Sequence, residues 1–84
     1  MIELYQFEEC PYCSKVRQKL TELHIDWIAR TAPKGSAQRE KLVELGGKEQ
    51  VPFLYDQKKG VKMYESDDII AYLEKEYGGN GGDK

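Results

Sequence analysis

Both cysteines of the chain lie in Cys10-Pro11-Tyr12-Cys13, where a strand-like pattern gives way to a helical one. Ile2 to Phe7 alternates apolar and polar residues and is rich in strand formers. Beyond the pair, Cys13, Val16, Leu20 and Leu23 recur at helical spacing, with Lys15, Arg17, Lys19 and Glu22 on the other face. The pair therefore belongs to a strand-to-helix turn. Proline suits the first helical position, because its missing N–H would have no intrahelical partner there, and this leaves Cys10 at or beside the N-cap. The free N–H groups and the helix dipole at that end favour a thiolate. Cys13, one turn on, is expected to be more shielded. The spacing predicts a dithiol/disulfide couple in which Cys10 attacks and Cys13 resolves. A four-coordinate zinc site would need about two further ligands, and the only other His or Cys is His24. No metal is expected.

At 84 residues, 39% hydrophobic and 33% charged, the chain can build one core that buries about 60 to 65% of its unfolded surface. The net charge is −2 and basic residues are interleaved with acidic ones, a pattern that excludes a nucleic-acid footprint. No segment approaches the roughly 20 apolar residues of a membrane span, and the start runs straight into a strand without a signal-peptide pattern. The reading is a cytoplasmic monomer with no membrane partner. Two cysteines in such a setting point to transient redox use, not a structural disulfide.

The rest of the chain is organised around short elements. Ile25 to Thr31 reads as a strand, so two strands flank the first helix in a parallel βαβ unit. Pro33-Lys34-Gly35 breaks the pattern, Ser36 caps a second helix carrying Leu42 and Leu45, and Gly46-Gly47 stops it. Val51 to Tyr55 is a strand with Pro52 near its start. The polar turn Asp56 to Gly60 then leads into Val61 to Tyr64 as an antiparallel hairpin. Ser66 caps a third helix with Asp67 and Asp68 in its first turn and Ile69, Ile70, Leu73 and Tyr77 buried. Gly78-Gly79 is expected to end it, leaving a domain over residues 1–77 and a flexible Gly-rich tail over 78–84. The fold class is α/β, β-α-β-α-β-β-α, with a four-stranded mixed sheet flanked by helices.

Taken singly, most residues outside the cysteine pair have plain structural roles. Pro52 suits an edge strand, Ser66, Asp67 and Asp68 suit a helix start, and Phe7, Trp27, Tyr55 and Tyr64 suit a core or sheet surface. His24 suits the carbonyl end of the first helix and is left out of the site.

The motifs in their order carry a family resemblance. Cys10-Pro11-Tyr12-Cys13 matches the dithiol glutaredoxin motif, Gln50-Val51-Pro52 sits where that family has its Val-Pro pair, and Glu65-Ser66-Asp67-Asp68-Ile69 resembles the segment holding the γ-glutamyl end of glutathione. Gln50-Val51-Pro52-Phe53-Leu54 together with Glu65-Ser66 is more similar to the N-terminal domain of glutathione transferases and the bacterial glutaredoxins built like them. The resemblance covers residues 2–77 and implies a thioredoxin-like fold. It also implies glutathione as cosubstrate, and protein disulfides and glutathionylated proteins as partners. Cys10 and Cys13 would be catalytic, and Tyr12, Gln50, Val51, Pro52, Glu65, Ser66 and Asp67 would bind glutathione. In similar proteins the Val-Pro bond is cis and the preceding backbone pairs with the cysteinyl part of glutathione. Ser66 would receive the γ-glutamyl carboxylate, and Glu65 or Asp67 the α-amino group.

The chain departs from that pattern at Glu8-Glu9, where many glutaredoxins carry a basic residue that lowers the thiol pKa and meets the glycine carboxylate. Two acids oppose both effects, the first by on the order of 1 kcal/mol. Lys15, Arg39, Lys48 and Gln50 are the candidates to supply the missing clamp. The leading expectation is a glutathione-dependent thiol–disulfide oxidoreductase. The alternatives are a glutathione-independent thioredoxin-like reductase, a glutathione transferase N-terminal domain, and an iron–sulfur cluster carrier.

Overall fold

The computed structural model describes residues 1–82. Its elements are β1 (Ile2–Gln6), α1 (Pro11–Glu22), β2 (Trp27–Thr31), α2 (Ala37–Gly46), β3 (Phe53–Asp56), β4 (Val61–Tyr64) and α3 (Ser66–Gly82), in the expected order. The strands form one sheet in the order β2-β1-β3-β4. β1 runs parallel to β2 and antiparallel to β3, and β4 returns antiparallel to β3. Among the described residues no helix is long and apolar enough to cross a membrane.

The central strand explains where the core sits. Ile2 and Leu4 of β1 pack with Val16 and Leu20 of α1, Leu54 of β3, and Ile69 and Leu73 of α3 on one face of the sheet. On the other face Tyr5, Phe53 and Ala32 pack against Leu42 of α2. Helices thus cover both faces, and all five residues of β1 are buried, including Glu3 and Gln6, which the alternating pattern assigns to solvent. Their polar atoms are matched. Arg30 Nε approaches Glu3 Oε1 at 3.0 Å, Gln57 donates to the other Glu3 oxygen, and Arg17 donates to Gln6 Oε1 at 2.8 Å.

The ends of the elements set the loops around the cysteines and the opposite rim. α1 closes with His24 in the left-handed region (φ 59), its N–H on the Thr21 carbonyl and the Ile25 N–H on the Leu20 carbonyl. His24 ends the helix through its backbone conformation, the 6→1 and 5→2 pattern of a Schellman close. Ser36 Oγ accepts from the Arg39 N–H at 3.1 Å, the expected cap of α2, and Gly47 (φ 90) takes the left-handed position after it. Gly46 is still helical and lies under Tyr64 and Phe53. Arg39, one of the candidates for the missing clamp, is buried and donates to the Ala32 carbonyl at 2.8 Å.

Further sequence expectations need correction, and the strand read over Ile25 to Thr31 begins at Trp27. β3 starts at Phe53, because Pro52 has no N–H for the ladder. Ser66 is the first residue of α3 and not its cap: the Ile69 N–H bonds the carbonyl of Glu65, which stands before the helix with φ 74. α3 also continues past Gly78-Gly79 to Gly82, since glycine weakens a helix by about 1 kcal/mol relative to alanine without barring the conformation. Of the expected tail over 78–84, residues 83 and 84 lie outside the described residues.

Asp56, assigned to a turn from sequence, is the last residue of β3 and is 1% exposed. Its Oδ2 accepts from Tyr72 Oη at 2.7 Å and Tyr77 Oη at 2.5 Å, tying the β3–β4 hairpin to α3. Burial pushes its carboxyl upward, but hydrogen bonds from Tyr77, Tyr72 and the Lys59 and Lys58 backbone outweigh this and leave it below the usual carboxylate value.

Candidate functional site

The parallel β1–β2 pair needs a crossover helix, and α1 supplies it, its N-terminus following Phe7 to Glu9 at the C-terminal end of β1. Cys10 is the N-cap of α1, with extended backbone (φ −76, ψ 113) and Pro11 following as the first helical residue. Its Sγ accepts the N–H of Cys13 at 3.2 Å. Both cysteines are free thiols; Cys10 is 5% exposed and Cys13 is fully buried. Burial pushes the Cys13 thiol up to about 12, the hydrogen bond with Cys10 adds to the rise, and the Phe7 backbone and Arg17 charge only partly oppose it. Cys13 is therefore held as a thiol. The sulfur that receives a helix-end donor is Cys10, and the one kept protonated is Cys13.

Arg17 is a contributor that sequence reasoning passed over. Its guanidinium donates to Gln6 Oε1 and to the carbonyls of Phe7 at 3.3 Å and Glu8 at 3.3 Å. It thus pins the turn that carries Cys10, and it sets a positive charge behind the acidic Glu8-Glu9 pair. The signal was available: Arg17 lies four residues after Cys13, one helical turn on and within reach of its neighbours.

A cavity of about 530 Å³ opens between the start of α1, the approach to β3 and the start of α3; Tyr12 of the cysteine turn lines it, and the two cysteines do not. Tyr12, Gln50, Val51, Pro52, Glu65, Ser66 and Asp67 all line it, so the structure brings together every residue that the resemblance named for glutathione. Asp68, part of the resembling segment but not among the residues named for binding, lines it as well. The Val51-Pro52 bond is cis, as the resemblance implies. Tyr12 is 63% exposed at the rim, whereas Ser66 is buried at the base of α3. The left-handed backbone of Glu65 is unusual for a residue with a side chain and turns the chain from β4 into α3 at the cavity wall.

The charged side chains in the lining of this cavity are acidic, and Lys15 meets one of them, Asp67. Its lining includes the carboxylates of Glu65, Asp67 and Asp68 but no lysine or arginine. Of the groups considered for the missing clamp, Gln50 and Lys15 are bonded to acids of the lining, and Lys48 and Arg39 are engaged elsewhere. Lys15 pairs with Asp67 at 2.8 Å, Gln50 donates to Glu65 Oε2 at 3.0 Å, Lys48 sits over the Tyr64 ring at 5.3 Å, and Arg39 faces the Ala32 carbonyl and Glu49. Among the described residues no group of three His, Cys, Asp or Glu side chains is placed to hold a metal ion.

Comparison with known proteins places this geometry. Residues 4–81 match the family model described as glutathione S-transferase, N-terminal domain. Comparison with curated protein sequences found no match. A delta-class glutathione transferase of Nilaparvata lugens superposes with a TM-score of 0.81 at 25% identity, over 92% of this chain and 36% of the transferase. Isozyme E7 of Drosophila melanogaster gives 0.81 at 26% identity, over 93% and 35%. A glutathione S-transferase of the Antarctic clam Laternula elliptica gives 0.78 at 31% identity, over 90% and 35%. The chain thus spans about a third of the length of these structures. The match falls on the transferase side of the resemblance, which Glu65-Ser66 carries, and the glutaredoxin side rests on Cys10-Pro11-Tyr12-Cys13. With its thioredoxin-like sheet and the match over residues 4–81, the chain belongs to the glutathione S-transferase N-terminal domain family.

Proposed function

We propose that the chain is a glutathione-dependent thiol–disulfide oxidoreductase of the glutaredoxin type, built on a transferase-type N-terminal domain. The observation that carries this reading is the N–H of Cys13 on the Sγ of Cys10 at the start of α1, in the same turn as Tyr12, which lines the cavity. The Cys10 thiolate attacks a sulfur of a protein disulfide, forms a mixed disulfide and expels the other protein sulfur as thiolate. Cys13 then gives up its proton to the departing sulfur and attacks Cys10, which releases the reduced protein and leaves a Cys10–Cys13 disulfide. One glutathione thiolate opens that disulfide as a mixed disulfide on Cys10, and a second removes the first as glutathione disulfide, restoring both thiols. With a glutathionylated protein, Cys10 takes up the glutathione directly and Cys13 is not required.

In this reading Ser66 and the first N–H groups of α3 receive the γ-glutamyl carboxylate, since a helix N-terminus favours an anion. Glu65 or Asp67 meets the ammonium group, the Val51 backbone pairs with the cysteinyl part, and Tyr12, Gln50 and Pro52 shape the walls. Their common position around one cavity supports this assignment.

A second reading, the glutathione-binding part of a transferase that conjugates glutathione to an electrophile, is favoured by the family match. Two assays separate them. Turnover of a glutathione mixed disulfide, with glutathione as reductant, is expected. Conjugation of a model electrophile without disulfide exchange would favour the second reading, and reduction of a protein disulfide without glutathione dependence would favour a thioredoxin-like reductase.

A further inference from the structure

We propose that Tyr64 sets the width of the cavity and is thereby a positioning residue for glutathione, an inference that rests on the glutathione reading of the site. Tyr64 is the last residue of β4, and its backbone runs directly into Glu65 and Ser66, which line one wall. Its side chain reaches the opposite wall. Tyr64 Oη donates to the Lys48 carbonyl at 2.7 Å and accepts the Lys48 N–H at 3.0 Å, two residues before Gln50-Val51-Pro52. One phenol thus joins the segment that carries Val51 to the segment that carries Ser66.

The loop before β3 depends on side chains for its shape. Among the described residues, no backbone–backbone hydrogen bond outside the helices and strands involves residues 48–52. A backbone N–H and C=O need partners, and at Lys48 the tyrosine hydroxyl supplies both. The tyrosine is itself held: its ring lies on Phe53 with centroids 4.7 Å apart, Lys48 Nζ sits over it at 5.3 Å, and the missing Cβ of Gly46 gives it room. Two further ties, Arg39 to Glu49 at 3.6 Å and Gln50 to Glu65 at 3.0 Å, involve exposed side chains and hold less firmly. A ligand that pairs with the Val51 backbone and with Ser66 at once spans both walls, so a shift of one against the other weakens both contacts. Neither cysteine is among the groups that Tyr64 meets.

Tyr64→Phe keeps the ring on Phe53 and removes only the hydroxyl. With the mixed disulfide of glutathione and mercaptoethanol as substrate, it should raise the KM for glutathione about fivefold, the loss that accompanies one net hydrogen bond, and leave kcat within about twofold. Amide exchange at Lys48 should quicken, which reports the released loop independently of activity. Tyr72→Phe removes a hydroxyl of the same kind at the other end of β3, where it meets Asp56, and should leave KM unchanged. An unchanged KM in Tyr64→Phe, with the native chain still dependent on glutathione, would overturn the positioning role and leave the glutathione reading standing. An equal rise in Tyr72→Phe would trace the effect to lost stability and overturn the role as well. A native chain that reduces a protein disulfide without glutathione would overturn the glutathione reading and the inference with it.

Discussion

The backbone N–H of Cys13 points at the Sγ of Cys10 from 3.2 Å, while the Cys13 sulfur itself is sealed in the core. The two thiols are therefore unequal before any substrate arrives. Iodoacetamide near neutral pH should label Cys10 first and Cys13 about tenfold or more slowly, as peptide mapping would show. Equal labelling would contradict the assigned order.

The same asymmetry fixes the sign of an alkaline effect. Cys13 is raised from 9.0 to about 12, chiefly by burial, and Tyr77 from 10.0 to about 12 by burial and its bond to Asp56. The unfolded chain loses these protons at lower pH than the folded one. Their contribution to stability is full below about 9 and drains away as pH rises toward about 12. Denaturant midpoints measured across that window should fall; a flat profile would contradict the burial of both groups.

Asp56 ties the β3–β4 hairpin to α3 through Tyr72 and Tyr77. Asp56→Ala leaves two hydroxyls without their acceptor and should cost about 3 kcal/mol in urea unfolding, with Tyr72→Phe or Tyr77→Phe costing about 1 kcal/mol each. Because its carboxyl is held below 3.8 in the fold, the Asp56 contribution is present above that value and is lost as pH falls through the lowered one. An Asp56→Ala protein within about 0.5 kcal/mol of native would refute the assignment.

Gly46 lies where a Cβ would collide with Tyr64 Oη and stand 2.8 Å from Phe53 Cε1. Tyr64 Oη cannot easily yield, since it donates to the Lys48 carbonyl at 2.7 Å and accepts its N–H at 3.0 Å. Gly46→Ala should therefore destabilise by about 1 to 3 kcal/mol despite alanine's better helix propensity. A raised Tm would show that the packing relaxes.

Ser66 is the first residue of α3 and not its cap, which separates binding from stability. Ser66→Ala should raise the KM for glutathione about five- to tenfold, corresponding to about 1 to 1.4 kcal/mol, and shift Tm little. An unchanged KM would remove Ser66 from the proposed binding set.

Local rules made much of this legible. The strand-to-helix turn, the place of Pro11, the Ser36 cap and the hairpin follow from propensity and spacing, and the motif order carried the cavity residues. What escaped was set by tertiary burial. Glu3 and Asp56 look like surface acids until α2 covers the second face of β1 and α3 brings two tyrosines to the end of β3. Arg17 looked like part of a solvated face until its guanidinium turned back onto the Cys10 loop. The left-handed turn at Glu65 displaced the cap by one residue, a shift that no side-chain preference at Ser66 reveals.

The central claim is that Cys10 takes up glutathione from a mixed disulfide and Cys13 is dispensable for that step. It is tested most directly by mass spectrometry of Cys13→Ser and Cys10→Ser proteins after exposure to a glutathione mixed disulfide. The account predicts one glutathione per chain on Cys10 of the Cys13→Ser protein, removed by added glutathione, and none on the Cys10→Ser protein. A Cys13→Ser protein that stays unmodified, or a Cys10→Ser protein that turns the substrate over, would contradict it.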